Sequence, residues 1–115
     1  MSKVNNHIDY IELPAKSVNE LNAVKDFFAK VFGWSYQQWS DDYADTNDSG
    51  VGSGINAEDQ ATAPLPVIYV SDIQAVYDKV KVAGAMITKE IFDFPGGKRF
   101  HFQDPAGNEL AVWSE

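Results

Sequence analysis

The residues best suited to chemistry lie in the last fifth of the sequence, where Arg99, His101 and Glu109 follow one another closely. Arg99 and His101 are two positions apart in a β-prone segment, so their side chains leave the same face of the predicted strand. Glu109 opens the next predicted strand, which the intervening turn makes an antiparallel neighbour. An imidazole titrates near neutral pH and suits acid–base catalysis, whereas a guanidinium can fork onto a carboxylate of a ligand or of Glu109. The alternative for His101 is a partly exposed side chain that only makes a hydrogen bond.

The charges of this region must also be balanced. The two phenylalanines that alternate with Arg99 and His101 suit a face covered by a helix, which leaves the arginine on the other face. An inward-pointing arginine in an acidic protein needs a carboxylate partner, and Glu109 or Glu12 would supply it. His101 would then be free to donate or accept a proton. Glu12 is itself a candidate acid–base residue. Its alternative role is to form an ion pair on a solvent-exposed face of the sheet.

The overall composition restricts the classes of function. The chain has 115 residues, 44% of them hydrophobic, which indicates one globular domain. The absence of cysteine excludes disulfides, thiolate nucleophiles and cysteine-based metal sites. The formal net charge is −8 and the lysines and arginines form no stripe, so nucleic acid is not an expected partner. Met1–Asn6 is polar, and no apolar run approaches the roughly 20 residues that cross a membrane. We therefore expect a cytoplasmic protein without a membrane partner.

Two helices are predicted, near residues 18–32 and 73–83. Each predicted helix begins with a capping box, continues with apolar residues at helical spacing and ends at a glycine. The boxes and their stops are Ser17 with Glu20 before Gly33, and Ser71 with Gln74 before Gly84.

The predicted strands complete a repeated order of elements. One strand precedes each helix and three short strands follow it, so the chain consists of two βαβββ repeats. The repeats span about residues 7–57 and 64–115 of a single domain, and an exposed linker joins them. Neither half can bury both faces of its sheet alone, so we expect the halves to pair. The predicted strands are Ile8–Pro14, three pieces within Trp34–Ala57, Leu65–Val70, Met86–Phe92, Arg99–Gln103 and Glu109–Trp113.

Several motifs in these repeats match a known family. They are Y-I-E-L-P-A before the first helix, F-F-A-K-V-F-G-W at its end, V-I-Y-V-S-D-I before the second helix, and F-Q-D-P-A-G-N-E-L near the end. On these motifs the chain resembles the vicinal-oxygen-chelate superfamily, which includes glyoxalase, bleomycin resistance proteins and extradiol dioxygenases. The resemblance implies an α+β fold, in which two βαβββ repeats form a curved mixed sheet with helices on the outer face. It also implies a cavity that holds a small molecule.

The metal site implied by the resemblance is missing. Members that bind metal place a histidine near the start of each repeat and a glutamate after the D-P-x-G-N turn. The matching positions here are Tyr10, Leu65 and Ala111, which cannot together hold Zn²⁺, Ni²⁺, Mn²⁺ or Fe²⁺. We therefore predict no metal and no cofactor. The alternative is a displaced ligand set in which His101 acts with Glu109 or Glu12.

The leading hypothesis is a protein that binds or transforms a small organic molecule without the usual metal. The alternatives are a metal-dependent lyase or dioxygenase with displaced ligands, and a non-catalytic dimeric binding module. We also expect a homodimer, because one chain supplies only two of the four βαβββ units that the superfamily commonly assembles. The candidate catalytic residues are His101 and Glu12. The candidate ligand-binding residues, taken from strand parity and the resemblance, are Tyr10, Glu12, Leu65, Val67, Tyr69, Arg99, His101, Glu109, Ala111 and Trp113.

Overall fold

The chain is an α+β protein in which the order strand, helix, three strands occurs twice, so the predicted fold class is confirmed. The computed structural model describes residues 3–58 and 62–115, and part of the predicted linker, residues 59–61, lies outside them. The first repeat contains β1 (His7–Pro14), α1 (Val18–Phe32), β2 (Gln37–Ser40), β3 (Tyr43–Thr46) and β4 (Gly52–Asn56). The second repeat contains β5 (Leu65–Tyr69), α2 (Ile73–Val82), β6 (Met86–Phe94), β7 (Gly97–Gln103) and β8 (Glu109–Ser114).

Helix α1 has the predicted capping at both ends. The Ser17 hydroxyl accepts a hydrogen bond from the Glu20 amide at 3.1 Å, and the Glu20 carboxylate accepts one from the Lys16 amide at 2.9 Å. Gly33 has a φ of 75° and donates its amide to the Ala29 carbonyl. These contacts satisfy backbone groups that a helix end otherwise leaves without partners.

Helix α2 begins differently from the prediction. Its N-cap is Asp72 rather than Ser71, and the Asp72 carboxylate accepts a hydrogen bond from the Ala75 amide at 3.1 Å. Gln74 does not close a capping box, because its side chain donates to Asp78 one turn further along. Within the two described stretches of chain, no helix has both the length and the apolar character of a membrane span. The cytoplasmic location and the absence of a nucleic-acid partner stay predictions.

The described residues divide into two compact units. The first unit lies within Tyr10–Pro64, and the second comprises residues 3–9 with Leu65–Glu115. The first unit has the strand order β2-β3-β4-β1, with β1 parallel to β4 and the other neighbours antiparallel. The second has the order β5-β8-β7-β6, with β5 parallel to β8 and the other neighbours antiparallel. The two units therefore repeat one mixed four-stranded arrangement.

Each unit buries one face of its sheet against its own helix. The core of the second unit includes Phe100, which is fully buried, and Phe102 packs against the same cluster as the α2 residues Val76 and Val80. The predicted alternation along β7 is thereby confirmed, since both phenylalanines lie on the helix side. The core residues are Ala15, Leu21, Ala44 and Ile55 in the first unit and Val70, Ile73, Phe100 and Val112 in the second.

Candidate functional site

The turn between β7 and β8 fixes where Glu109 enters the second sheet. One carboxylate oxygen of Asp104 accepts hydrogen bonds from the amides of Ala106 and Asn108, both at 2.9 Å. Its other oxygen accepts a hydrogen bond from the Asn108 side chain at 2.9 Å. The Asn108 side-chain amide, and then the backbone amides, hold the pKa of Asp104 below its usual value. Gly107 has a φ of 86°, a conformation that favours glycine.

On the face opposite α2, Arg99, His101 and Glu109 form one hydrogen-bonded chain. The guanidinium of Arg99 contacts His101 Nε2 through Nε at 3.1 Å and through Nη2 at 2.9 Å. On the other side of the ring, His101 Nδ1 lies 3.1 Å from a carboxylate oxygen of Glu109. The Thr88 hydroxyl donates to the same oxygen at 3.0 Å. His101 is only 2% exposed, so this chain runs from a buried ring to a half-exposed carboxylate.

The two contacts define the protonation state of the imidazole. A guanidinium only donates hydrogen bonds, so Nε2 of His101 must accept, and Nδ1 then carries the proton that is donated to Glu109. Burial lowers the pKa of His101, the positive charge of Arg99 lowers it further, and the Glu109 carboxylate opposes both effects. His101 is therefore a neutral imidazole with one fixed tautomer.

This arrangement corrects the expectation that His101 would be a free acid–base group. His101 lies between the arginine and Glu109, and both of its ring nitrogens are engaged. The reason is the register, because His101 pairs with Ala111 and Gln103 pairs with Glu109. Glu109 is thus the diagonal neighbour of His101 across the two strands. It lies further from Arg99, because Arg99 pairs with Trp113 at the other end of β8.

Two phenylalanines beside Arg99 were missed by the sequence analysis. Phe92 is the register partner of Arg99 on β6, and the centroids of the Phe92 and Phe94 rings lie 6.0 Å and 5.9 Å from the guanidinium carbon. Such rings attract a cation through their negative faces. The pairing of β6 with β7 shifts register between Lys89 and Phe92, and no sequence pattern marks that irregularity.

Trp113 and Tyr69, two further candidate residues, extend this aromatic surface. They are register partners on β8 and β5, and their ring centroids are 5.2 Å apart. The Trp113 ring also lies 6.1 Å from that of Phe94, and its indole nitrogen donates to Asp9 at 3.0 Å. One polar partner and two ring neighbours therefore hold Trp113 in position.

Three further candidate residues are apolar and lie on the same face of the second sheet. Val67 pairs with Ala111, and Leu65 lies on the same face of β5 two residues earlier. All three side chains are buried, Ala111 completely. Their apolar side chains offer no donor atom to a metal or a substrate.

Tyr10 and Glu12 belong to the first unit, in a different setting. The Tyr10 hydroxyl forms a short hydrogen bond with the hydroxyl of Tyr43, and both lie over Gly54, where a Cβ atom would be 2.0 Å from the Tyr10 oxygen. Burial raises the pKa of Tyr10 above its ordinary value, and the neighbouring Tyr43, Asp45 and Glu12 raise it further. Glu12 is 6% exposed and accepts a hydrogen bond from the Asn56 side chain at 3.2 Å.

The residues present do not fit the divalent metal that the resemblance implies. Two of the three ligand positions are the buried apolar residues Leu65 and Ala111. The third is Tyr10, whose raised pKa keeps it protonated and unsuited to bind a metal. Across residues 3–58 and 62–115, no three His, Asp or Glu side chains are grouped as a metal site requires. A metal ion bound by His101 in a displaced site would also be repelled by the positive charge of Arg99, which contacts the same ring.

A model of the Glyoxalase/Bleomycin resistance protein/Dioxygenase superfamily matches residues 7–112. The chain belongs to this superfamily. Within the superfamily, it is 30% identical over 109 residues to proteins of Mycobacterium bovis and Mycobacterium tuberculosis whose provisional curated name is glyoxylase CFP32. The match covers 80% of this chain, and the chain spans about 40% of the length of those relatives.

Solved structures show the same fold at low sequence identity. A glyoxalase/bleomycin resistance protein/dioxygenase superfamily member from Vibrio splendidus has a TM-score of 0.71 at 18% identity, covering 92% of this chain and 97% of that one. A methylmalonyl-CoA epimerase from Mycobacterium tuberculosis has a TM-score of 0.67 at 11% identity, covering 99% and 91% of the two chains. These likenesses establish the fold of this superfamily member and nothing about its ligand.

Proposed function

We propose that this superfamily member binds a small organic molecule on the face of the second unit that carries Arg99, without a metal ion. The observation that carries the proposal is the chain from Arg99 through His101 to Glu109, set among Tyr69, Phe92, Phe94 and Trp113. A largely apolar surface with a few converging polar groups is typical of small-molecule sites.

The preferred ligand class follows from the chemistry of the anchor. Arg99 presents a planar cation that suits a carboxylate or another oxygen acceptor, and the aromatic rings beside it suit a flat apolar group. His101 holds the guanidinium through two contacts and is itself held by Glu109. We therefore assign His101 to positioning Arg99 rather than to proton transfer. A neutral histidine is required for this role, because a protonated ring would repel the guanidinium.

Glu12, which belongs to the first unit, stays a candidate acid–base or ligand-binding residue of that unit. Its burial with a hydrogen bond from the Asn56 side chain supports a positioned carboxylate rather than a solvated one. A metal-dependent lyase or dioxygenase is the second candidate, and no contact among the described residues favours it. Metal analysis of dialysed protein separates the two. We expect less than a stoichiometric amount of zinc, nickel, manganese or iron, and one tightly held equivalent would exclude our proposal.

The test of ligand class uses benzoate as a probe, with benzamide as its uncharged analogue. We expect NMR shift changes at Trp113 with benzoate, and weaker binding of benzamide. Replacing Arg99 by lysine retains the charge but removes the planar fork, and should weaken benzoate binding by about tenfold. The matched control is Lys98→Gln, which removes a cation next to Arg99 in sequence but on the other face of β7, where Lys98 pairs with Asp93.

The outcomes are distinguishable. Weakening by Arg99→Lys with no change for Lys98→Gln supports the proposed anchor. Equal binding of benzoate and benzamide to the native protein and both variants would reject Arg99 as the determinant of ligand class. Binding that is lost only when metal is removed would support the metal-dependent alternative instead.

A further inference from the structure

The helix-covered face of the second sheet ends in a cavity beside the start of α2. Because α2 follows β5 and β5 is parallel to β8, the first turn of α2 lies at the same edge of the sheet as the end of β8. Phe100 and Val112 are register partners in the core, and the next pair on their face is Lys98 with Ser114. The cavity at this pair has a volume of about 460 Å³, which is typical of small-molecule sites.

The first turn of α2 contributes two backbone N–H donors to this cavity. The Asp72 side chain accepts a hydrogen bond from the Ala75 amide, and the Asp72 carbonyl accepts one from the Val76 amide. Among the described residues, no group accepts from the amides of Ile73 and Gln74, and both residues line the cavity. Amides in this position at the start of a helix bind carboxylate or phosphate oxygens.

A buried hydroxyl supplies a third donor from the sheet. Ser114 is 6% exposed, and within residues 3–58 and 62–115 its hydroxyl makes no hydrogen bond. Most buried polar side chains have a hydrogen-bond partner, and the side chain of Ser114 extends into the cavity. The ammonium group of Lys98 is already engaged, since it donates to Asp93 at 2.8 Å. Ser114 and the two helix amides are therefore available to the oxygens of a bound molecule.

The same cavity carries negative charge and apolar surface. One carboxylate oxygen of Asp72 caps α2, and the other has no hydrogen-bond partner in the part of the chain that the structure describes. Glu115 also lines the cavity, with its carboxylate 3.5 Å from the ammonium group of Lys3. Ile73 and Ile91 add aliphatic surface. The lining thus combines donors for a carboxylate, an acceptor for an ammonium group and room for an aliphatic chain.

We propose that this cavity binds a free aliphatic α-amino acid as its zwitterion. The carboxylate of the amino acid accepts hydrogen bonds from the amides of Ile73 and Gln74 and from the Ser114 hydroxyl. Its ammonium group lies against Asp72, and its side chain packs on the isoleucines of the lining. A zwitterion is favoured over an anion, because Asp72 and the net charge of −8 repel a negative ligand. The cavity lies on the opposite face of β7 from Arg99, so this inference goes beyond the proposed function.

The test uses L-leucine as the probe and compares it with 4-methylpentanoate, which has the same carbon skeleton but no ammonium group. We expect saturable NMR shift changes at the backbone amides of Ile73 and Gln74 with leucine. Binding of 4-methylpentanoate should be about tenfold weaker. Arg99→Lys should leave leucine binding unchanged, so the result does not depend on the ligand site proposed above.

Asp72→Asn tests the ammonium contact. Asparagine caps a helix about as well as aspartate, so this variant keeps the start of α2 and loses only the charge. Leucine binding should weaken by about tenfold, and its advantage over 4-methylpentanoate should disappear. Asp26→Asn is the matched control, because it makes the same change of charge at an exposed residue of α1 in the first unit. It should leave leucine binding unchanged.

Ser114→Ala tests the carboxylate contact. The variant should weaken leucine and 4-methylpentanoate alike by about fivefold, because both ligands carry the carboxylate that accepts from the Ser114 hydroxyl. Unchanged far-UV circular dichroism shows that the variants fold.

Four results would overturn the inference. Leucine that causes no saturable shift at the two helix amides does not bind in this cavity. Equal binding of leucine and 4-methylpentanoate to the native protein would show that the site takes a simple anion rather than a zwitterion. A preference for leucine that persists in Asp72→Asn would reject the ammonium contact, and unchanged leucine binding by Ser114→Ala would reject the carboxylate contact.

Discussion

The two units repeat one backbone arrangement but carry opposite chemistry on the face away from the helix. In the first sheet, one cross-strand row contains Glu12, Gly54 and Asp45. The row in the corresponding position of the second sheet contains Val67, Ala111 and His101. The row of the first unit thus carries two carboxylates and a glycine. The corresponding row of the second unit carries two apolar side chains and a neutral imidazole.

The next row continues the contrast. Tyr43 pairs with Asn56 on the first sheet, whereas Arg99 pairs with Trp113 on the second. On the first face, polar groups therefore bind one another, as the Tyr10 and Tyr43 hydroxyls do. The second presents a cation between aromatic rings. The difference shows that repeated topology sets where side chains lie, while their chemistry is set separately in each repeat.

The largest expected effect on stability comes from adding a methyl group at Gly54, on the first face. A Cβ at Gly54 would lie 2.0 Å from the Tyr10 hydroxyl and 2.5 Å from that of Tyr43, so Gly54→Ala must displace both rings. We expect a loss of about 2–3 kcal/mol in the free energy of unfolding, measured by urea denaturation. Adding Tyr10→Phe to this variant should recover part of it. A loss below about 0.5 kcal/mol, within the range of ordinary surface changes, would mean that the tyrosines move at little cost.

A smaller effect is expected when the cation of the second face is removed. Arg99→Gln takes the donor from His101 Nε2, a buried acceptor, and should lower the free energy of unfolding by about 1–2 kcal/mol. The pKa of His101 should rise, because a neighbouring positive charge no longer opposes its protonation. NMR titration of the imidazole measures the change. An unchanged or lower pKa would contradict the assigned contact.

The smallest expected effect is a pH dependence of the second unit. The folded-state pKa of His101 lies below the ordinary value of 6.5, so the unfolded chain takes up its proton first as the pH falls. The stabilisation from neutral His101 is therefore complete above pH 6.5 and is lost progressively below it. In thermal unfolding, the native protein should lose stability relative to His101→Gln between neutral pH and pH 5. A constant difference between the two proteins would show that His101 does not titrate in this way.

The helices and the faces of the strands could be predicted from the sequence because they depend on local patterns. Ser17 and Gly33 mark the ends of α1, and the alternation of β7 places His101 and Phe100 on opposite faces. The shift from Ser71 to Asp72 at the start of α2 reflects two neighbouring residues that can both cap a helix.

The contacts within the site could not be predicted, because they depend on which strand residues face each other. Alternation places Arg99, His101 and Glu109 on one face, but only the register shows that the histidine lies between the other two. It follows that replacing His101 should destabilise the protein rather than leave its stability nearly unchanged, as a free histidine would imply. Tyr43 and Gly54 were missed for a similar reason, since neither precedes a helix nor belongs to a recognised motif.

The three tryptophans lie in three different surroundings, which gives the protein its own optical reporters. Trp39 is 67% exposed and should emit at the long wavelengths typical of water, where acrylamide quenches it first. Trp34 stacks on the α1 rings of Phe28 and Phe32, so its emission follows events at that helix. Trp113 sits beside Tyr69 and can receive its excitation energy. Single-tryptophan variants would therefore follow the face of the second unit that carries Arg99 and the C-terminal end of α1 separately, without an added dye.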